Sequence, residues 1–252
     1  MRAMLAGALC LLAAMPVRAE DLVSGLSQDQ VQITSNYAGT DIVVFGAIES
    51  TDTNASAGQR DVVVVVRGPD ADFMVRRKVR VAGLWINRDK TTLYGLPGYY
   101  YAASTRPLPE IADPDTLKRY QLGLNALQPK SASTRQPAKA EPFRLAAIRS
   151  RARARLYAEA PHGVEFLGYS LFRVRVPVPA AVPRGQYNVE VYLFRDGNVI
   201  SAQTTPLYIE QIGLERRIFH LAHDLPFEYG FVTVLMAGLL GWGSSLLFRR
   251  SA

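Results

Sequence analysis

Tyr229 to Phe248 is a run of twenty residues without one formal charge, closed by Arg249 and Arg250, and it constrains this chain more than any other feature. A helix rises about 1.5 Å per residue, so twenty residues reach about 30 Å, the depth of a bilayer's hydrocarbon. In lipid a lone apolar segment satisfies its backbone only as a helix. The run therefore predicts a C-terminal transmembrane helix over 229–248 and a cytoplasmic tail over 249–252, with Tyr229 and Trp242 as interfacial or packing aromatics. Ala237, Gly241 and Ser245 recur every four residues along it and place three small side chains on one face. Such a face suits close helix packing, in a homo-oligomer or on a membrane-protein partner, although small residues are common in membrane helices anyway.

The other end carries Arg2, an apolar stretch from Leu5 to Met15, and Val17-Arg18-Ala19 ahead of Glu20. This is the layout of a secretory signal over 1–19, cleaved after Ala19. The apolar stretch is too short to cross a membrane. Cys10 lies inside it, where a lipid-attachment cysteine would follow it. Removing the signal removes the one cysteine, which excludes a disulfide scaffold, a thiolate zinc site and a cysteine nucleophile. Signal and span together predict a single-pass protein of the cytoplasmic (inner) membrane, with a periplasmic domain over 20–224 and a cytoplasmic C-terminus. A content of 48% hydrophobic and 20% charged residues is too apolar for disorder. The excess of 29 basic over 22 acidic residues does not point to nucleic acid in an exported domain.

Within that domain, apolar and polar residues alternate over Val31 to Ser35, and Asp41 to Ile48 follows across Ala38-Gly39-Thr40, which predicts two strands and a turn. Five consecutive valines, Val62 to Val66, suit a buried strand and end at Gly68-Pro69-Asp70. Phe73 to Val81 reads as a half-exposed strand, with short candidates at 83–87 and 91–94 and a further one at Tyr99 to Ser104. Asp113 is placed to cap a short helix that has Pro114 at its first position. Glu141 to Glu159 is helix-forming, with Leu145, Ile148, Ala152 and Leu156 on one face and Arg144, Arg151 and Arg155 on another. Strand patterns return at 164–167, 171–176, 185–194 and 199–210, the last two joined by Arg195-Asp196-Gly197-Asn198 as a hairpin. The expected fold is mainly β: an immunoglobulin-like β-sandwich with a helical insertion over about 107–160, plus the C-terminal transmembrane helix.

The runs Leu26-Ser27 through Ser35, Asp41 to Glu49, Val62 to Pro69, Val81 to Asn87 and Val189 to Gly197 resemble the putative transmembrane protein family of alphaproteobacteria. The resemblance spans nearly the whole mature chain. It implies a signal, an exported domain and one C-terminal span, and it brings no biochemical activity with it. By analogy with members encoded beside a sulfite-exporter-like permease, it implies a partner or accessory subunit.

Three histidines, His162, His220 and His223, are the only ones in the chain. No Gly-x-Ser-x-Gly, Walker loop, His-Glu-x-x-His or dinucleotide fingerprint is present. His220, His223 and Asp224 are candidate metal ligands on one helix face, while the plainer reading is a polar helix end at the headgroups. The arginine helix suits an anionic partner or a solvated face. Tyr99 to Tyr101 suit either a binding platform or ordinary strand packing. No catalytic residue and no cofactor is assigned. The expected function is a non-catalytic, membrane-anchored periplasmic interaction or accessory module, with the membrane and a membrane protein as partners and no nucleic acid. The alternative is a periplasmic metal-handling protein or hydrolase that uses the His/Asp cluster.

Overall fold

The computed structural model describes residues 21–34, 37–49, 60–81, 83–133, 137–211, 223 and 226–248. The expected signal over 1–19 lies outside them. Thirteen strands and four helices are described: β1 (Asp21–Leu26), β2 (Gln30–Ile33), β3 (Thr40–Glu49), β4 (Arg60–Arg67), β5 (Asp70–Val81), β6 (Leu84–Pro97), β7 (Tyr100–Ser104), α1 (Leu108–Ile111), α2 (Pro114–Tyr120), β8 (Ser131–Ala132), α3 (Pro137–Arg153), β9 (Tyr157–Pro161), β10 (Val164–Phe166), β11 (Leu171–Val178), β12 (Gly185–Arg195), β13 (Asn198–Gln211) and α4 (Pro226–Phe248).

Two sheets carry the body. One has the order β1-β3-β11-β10, and the other has the order β2-β13-β12-β4-β7-β9. Lettered along the chain, this is A-B-E-D against G-F-C, with β2 outside G and two further strands beyond C, the strand order of a variable-type immunoglobulin sandwich. The last pair departs from that plan. β7 and β9 run parallel, because the helical insertion lies between them and carries the chain back to start in the same direction. A tyrosine corner is also present. Tyr187, near the start of β12, donates from its hydroxyl to the Pro183 carbonyl oxygen. Two residues on, where antibody domains place their second cysteine, stands the buried Val189.

The valine run of β4 is buried on both faces. Its neighbour β7 shows why: Tyr99, just before it, and Tyr101 reach across the sandwich and donate to the Pro177 and Arg175 carbonyl oxygens of β11, whereas Tyr100 points the other way and donates to Gln121 in the insertion. One face of the sheet packs on the other sheet, and the opposite face packs under Leu108, Ile111, Leu122, Leu127, Ile148 and Leu156. A strand covered on both sides reads as continuously apolar rather than alternating.

Local signals place the insertion. Asp113 caps α2, its carboxylate accepting from the Thr116 N–H at 2.6 Å, with Pro114 at the first helical position. At the Asp196-Gly197 turn both residues have positive φ, 47° and 83°, as the two-residue hairpin between β12 and β13 requires.

Four expectations are corrected. β1 is a strand ahead of Val31, where the sequence reading placed none. The short candidates at 83–87 and 91–94 belong to one continuous strand, β6, which pairs with β5 as a long hairpin and with β8 at its base. The helix expected to Glu159 stops at Arg153; Arg155 turns with φ 58°, and Leu156 and Tyr157 enter the core beside Tyr100. Finally, no helix among the described residues is long and apolar enough to cross a membrane, so the transmembrane helix expected over 229–248 is not upheld. A helix does form there, as α4. Its described part opens with Glu228, carries Thr233, whose hydroxyl donates back to the Tyr229 carbonyl oxygen at 2.7 Å, and is diluted by Gly230, Gly238, Gly241, Gly243 and Ser244.

Candidate functional site

A polar cleft of about 370 Å³ opens where the insertion meets the β12–β13 turn, lined by Asp61, Arg106, Glu110, Asp113, Asp196 and their neighbours. β4 and β7 position its central pair. Buried Asp61 accepts from Thr105 Oγ1 at 2.7 Å and from Arg106 Nε and Nη2 at 3.0 and 2.6 Å. Burial alone would raise the Asp61 carboxyl, but the hydrogen bonds from Arg106 and Thr105 outweigh it and hold the group below its ordinary range. Arg106 also lies 3.9 Å from Glu110, and Asp113 is engaged in capping α2. His162 approaches from β9's end, with Nδ1 3.0 Å from the Thr105 carbonyl oxygen. The charges of Asp61, Arg106 and Asp113 are thus turned on one another and on the backbone, an arrangement that ties the insertion to the sheet.

A second network does the same on the outer face of that sheet. Arg67 donates to Glu190 at 3.0 Å and to the Tyr120 carbonyl oxygen at 2.7 Å, and it lies over the Tyr100 ring at 5.7 Å; Tyr192 donates to the same Glu190 oxygen. Burial pushes the hydroxyls of Tyr99, Tyr100 and Tyr157 up, so they remain protonated donors to backbone carbonyls. All of Tyr99 to Tyr101 is buried, which leaves no aromatic platform there. The arginine face of α3 is also divided. Arg144 is buried and holds Glu141 with two donors, at 2.8 and 2.6 Å, and the Asn125 and Leu127 carbonyl oxygens at 3.2 and 2.8 Å, while Leu145 faces outward.

Of the candidate ligands, only His223 lies among the described residues, exposed and helical; His220 and Asp224 lie outside them. No group of three or more histidine, cysteine or acidic side chains is set to hold a metal among the described residues. Ala237, Gly241 and Ser245 all fall within α4. A Cβ built on Gly238, Gly241 or Gly243 would meet nothing within 4 Å. The helix is apolar nearly all round and uncovered: Phe227 is 93% exposed, Val234 73%, Leu240 72% and Trp242 68%. Among the described residues, α4 thus carries a long exposed apolar surface. Sequence reasoning pointed to it through its lack of charge and missed the Asp61–Arg106 pair, whose one signal was an acidic residue directly abutting a run of buried valines.

A family model described as "Putative transmembrane protein" matches residues 21–250. No curated protein matches the chain. The chain belongs to the family so described.

Proposed function

We propose that this member of the family is a non-catalytic accessory subunit of a membrane assembly, held to a membrane-protein partner by α4 and offering its β-sandwich on the exported side of the inner membrane. The uncovered apolar surface of α4 carries the reading. A helix that is apolar all round is stable in company, buried against other helices or lipid. The small face at Ala237 and Gly241 gives a partner helix room for close approach. Export draws support from the family match, which begins at residue 21, next to the expected cleavage after Ala19. The non-catalytic character draws support from the cleft, where Asp61 and Arg106 are spent on each other and Asp113 on the cap of α2. A sulfite-exporter-like permease is the partner that the family resemblance implies.

Crosslinking in native membranes followed by affinity purification tests this reading. Recovery of a polytopic permease supports it. Recovery of the chain alone with bound metal favours instead the metal-handling or hydrolytic alternative built on His220, His223 and Asp224.

A further inference from the structure

The β5–β6 hairpin projects beyond the body. Its base is held by a small core of Leu93, Leu96 and Ala147 with Phe73, Val75 and Ala132 against it, and Arg151 of α3 lies over the Phe73 ring at 4.0 Å. From the Arg76–Lys90 pair outward the ribbon has only itself: residues 83–90 are all exposed, and so are Arg76, Arg77, Lys78 and Arg80. The five steps from that pair to the Val81–Leu84 pair extend it by about 17 Å. Gly83, with φ 86°, closes the turn. At the tip stand Leu84, 72% exposed, Trp85, 66%, and Ile86, 44%.

Charge follows directly behind. Between positions 76 and 90 lie Arg76, Arg77, Lys78, Arg80, Arg88 and Lys90 against the single carboxylate of Asp89. None of these six cations forms a salt bridge among the described residues. Side chains alternate along a strand, so Arg76, Lys78 and Arg80 lie on one face of the ribbon with Lys90, which pairs with Arg76, while Arg77 lies on the other face opposite Asp89. Cross-strand partners share a face, which sets Trp85 beside Arg80 and Ile86 beside Val79.

From this we infer that the β5–β6 tip is a docking site for an anionic lipid surface, with Trp85, Leu84 and Ile86 entering the headgroup region and the surrounding cations binding lipid phosphates. A two-stranded ribbon without a core is marginal alone, so an exposed apolar tip on it asks for a cover. The placement of the cations selects the occupant. The cations come from both strands and follow one another along the ribbon behind the apolar tip, so a tip that enters a surface brings successive cations to its phosphates. Tryptophan favours the membrane interface, and long basic side chains let an apolar tip sink while their heads stay at the phosphates. The inference rests on the ribbon and not on α4; it shares with the proposed function only the premise that the body lies at a membrane.

The two tryptophans of the chain, Trp85 and Trp242, separate the two ideas. The full chain with Trp242→Phe is reconstituted into vesicles of phosphatidylethanolamine with phosphatidylglycerol, and into phosphatidylcholine vesicles. Trp85 emission is expected to shift to the blue and to be quenched by brominated acyl chains in the anionic vesicles only. Arg76→Gln, Arg77→Gln, Lys78→Gln and Arg80→Gln together, with the fold checked by circular dichroism, should weaken the quenching roughly tenfold. The same quenching in both lipids, or none in either, overturns the inference. So does an unquenched Trp85 that instead crosslinks to an acidic protein. The companion Trp85→Phe chain reports α4 through Trp242, so failure of the ribbon and failure of the α4 reading give different signals.

Discussion

Gly46 and Phe172 face each other across β3 and β11, and the Phe172 ring occupies the space that a side chain at 46 would need. A Cβ at Gly46 would lie 2.5 Å from Phe172 Cζ and 2.7 Å from the Val23 carbonyl oxygen. The second contact is backbone and cannot swing aside. Gly46→Ala is therefore expected to destabilise the sandwich by about 1–3 kcal/mol, the range for overpacking a filled core. Urea unfolding followed by near-ultraviolet circular dichroism measures it, and an unchanged midpoint would show that β3 has room to move.

Arg144 joins α3 to the loop before it. Removing the guanidinium in Arg144→Met leaves the Leu127 carbonyl oxygen without that donor and frees Glu141 to water. The expected loss is about 2–3 kcal/mol, because the buried acceptors lose their charged donor. Arg144→Lys should rescue little, since a point charge cannot serve two carboxylate oxygens and a carbonyl in that fork. Glu141→Gln, at a half-exposed position, should cost about 1 kcal/mol or less. Thermal unfolding of the three variants side by side gives the order.

The Asp61–Arg106 pair predicts an acid sensitivity. The folded-state carboxyl titrates below its unfolded value of 3.8. The folded state therefore favours the ionised form, and its contribution is present above the unfolded value and lost as pH falls through the folded one. Asp61→Asn should cost about 1.5–3 kcal/mol at pH 7. The difference from the native chain should shrink as pH falls below about 4. A gap that stays constant from pH 7 to pH 3 would mean that Asp61 does not ionise as described.

Much of this fold is written in local chemistry. The Asp113-Pro114 cap, the Asp196-Gly197 turn and the valines of β4 each need only their own neighbours, so each could be read from the sequence. The misreadings share a nonlocal cause. Leu156 continues the apolar spacing of α3 as well as it leads into β9, and only pairing with β7 decides between them. Arg144 looks like part of a solvated stripe until the loop at 125–127 brings its carbonyls alongside. Tyr99 and Tyr101 are buried because a second sheet lies over them, which no alternation along one strand can reveal. The β6 strand was broken in two because Asn87 to Lys90 is polar on a ribbon that has no core to face. On the candidate site, the lack of charge over 229–248 was legible, while the described residues hold no helix long and apolar enough to cross a bilayer, the glycines, Thr233 and Ser244 lowering the apolar content of α4.

If Gly241 lies at a helix contact, adding bulk there should separate the helices. Gly241→Leu is expected to reduce crosslinking of α4 to its partner several-fold, with the sandwich unaffected because, outside the helix's own backbone, a Cβ there meets nothing of the described residues within 4 Å. Gly243→Leu, two residues on and about 200° round the helix, serves as the control. Equal crosslinking of Gly241→Leu and the native chain would count against this face.

The most direct measurement places a photo-activated benzophenone side chain at Trp242 of the full-length chain in living cells and identifies what it captures. An accessory subunit held by α4 should yield one dominant adduct with a polytopic membrane protein, diminished by Gly241→Leu. Adducts with soluble proteins alone, or no adduct at all, would contradict the account.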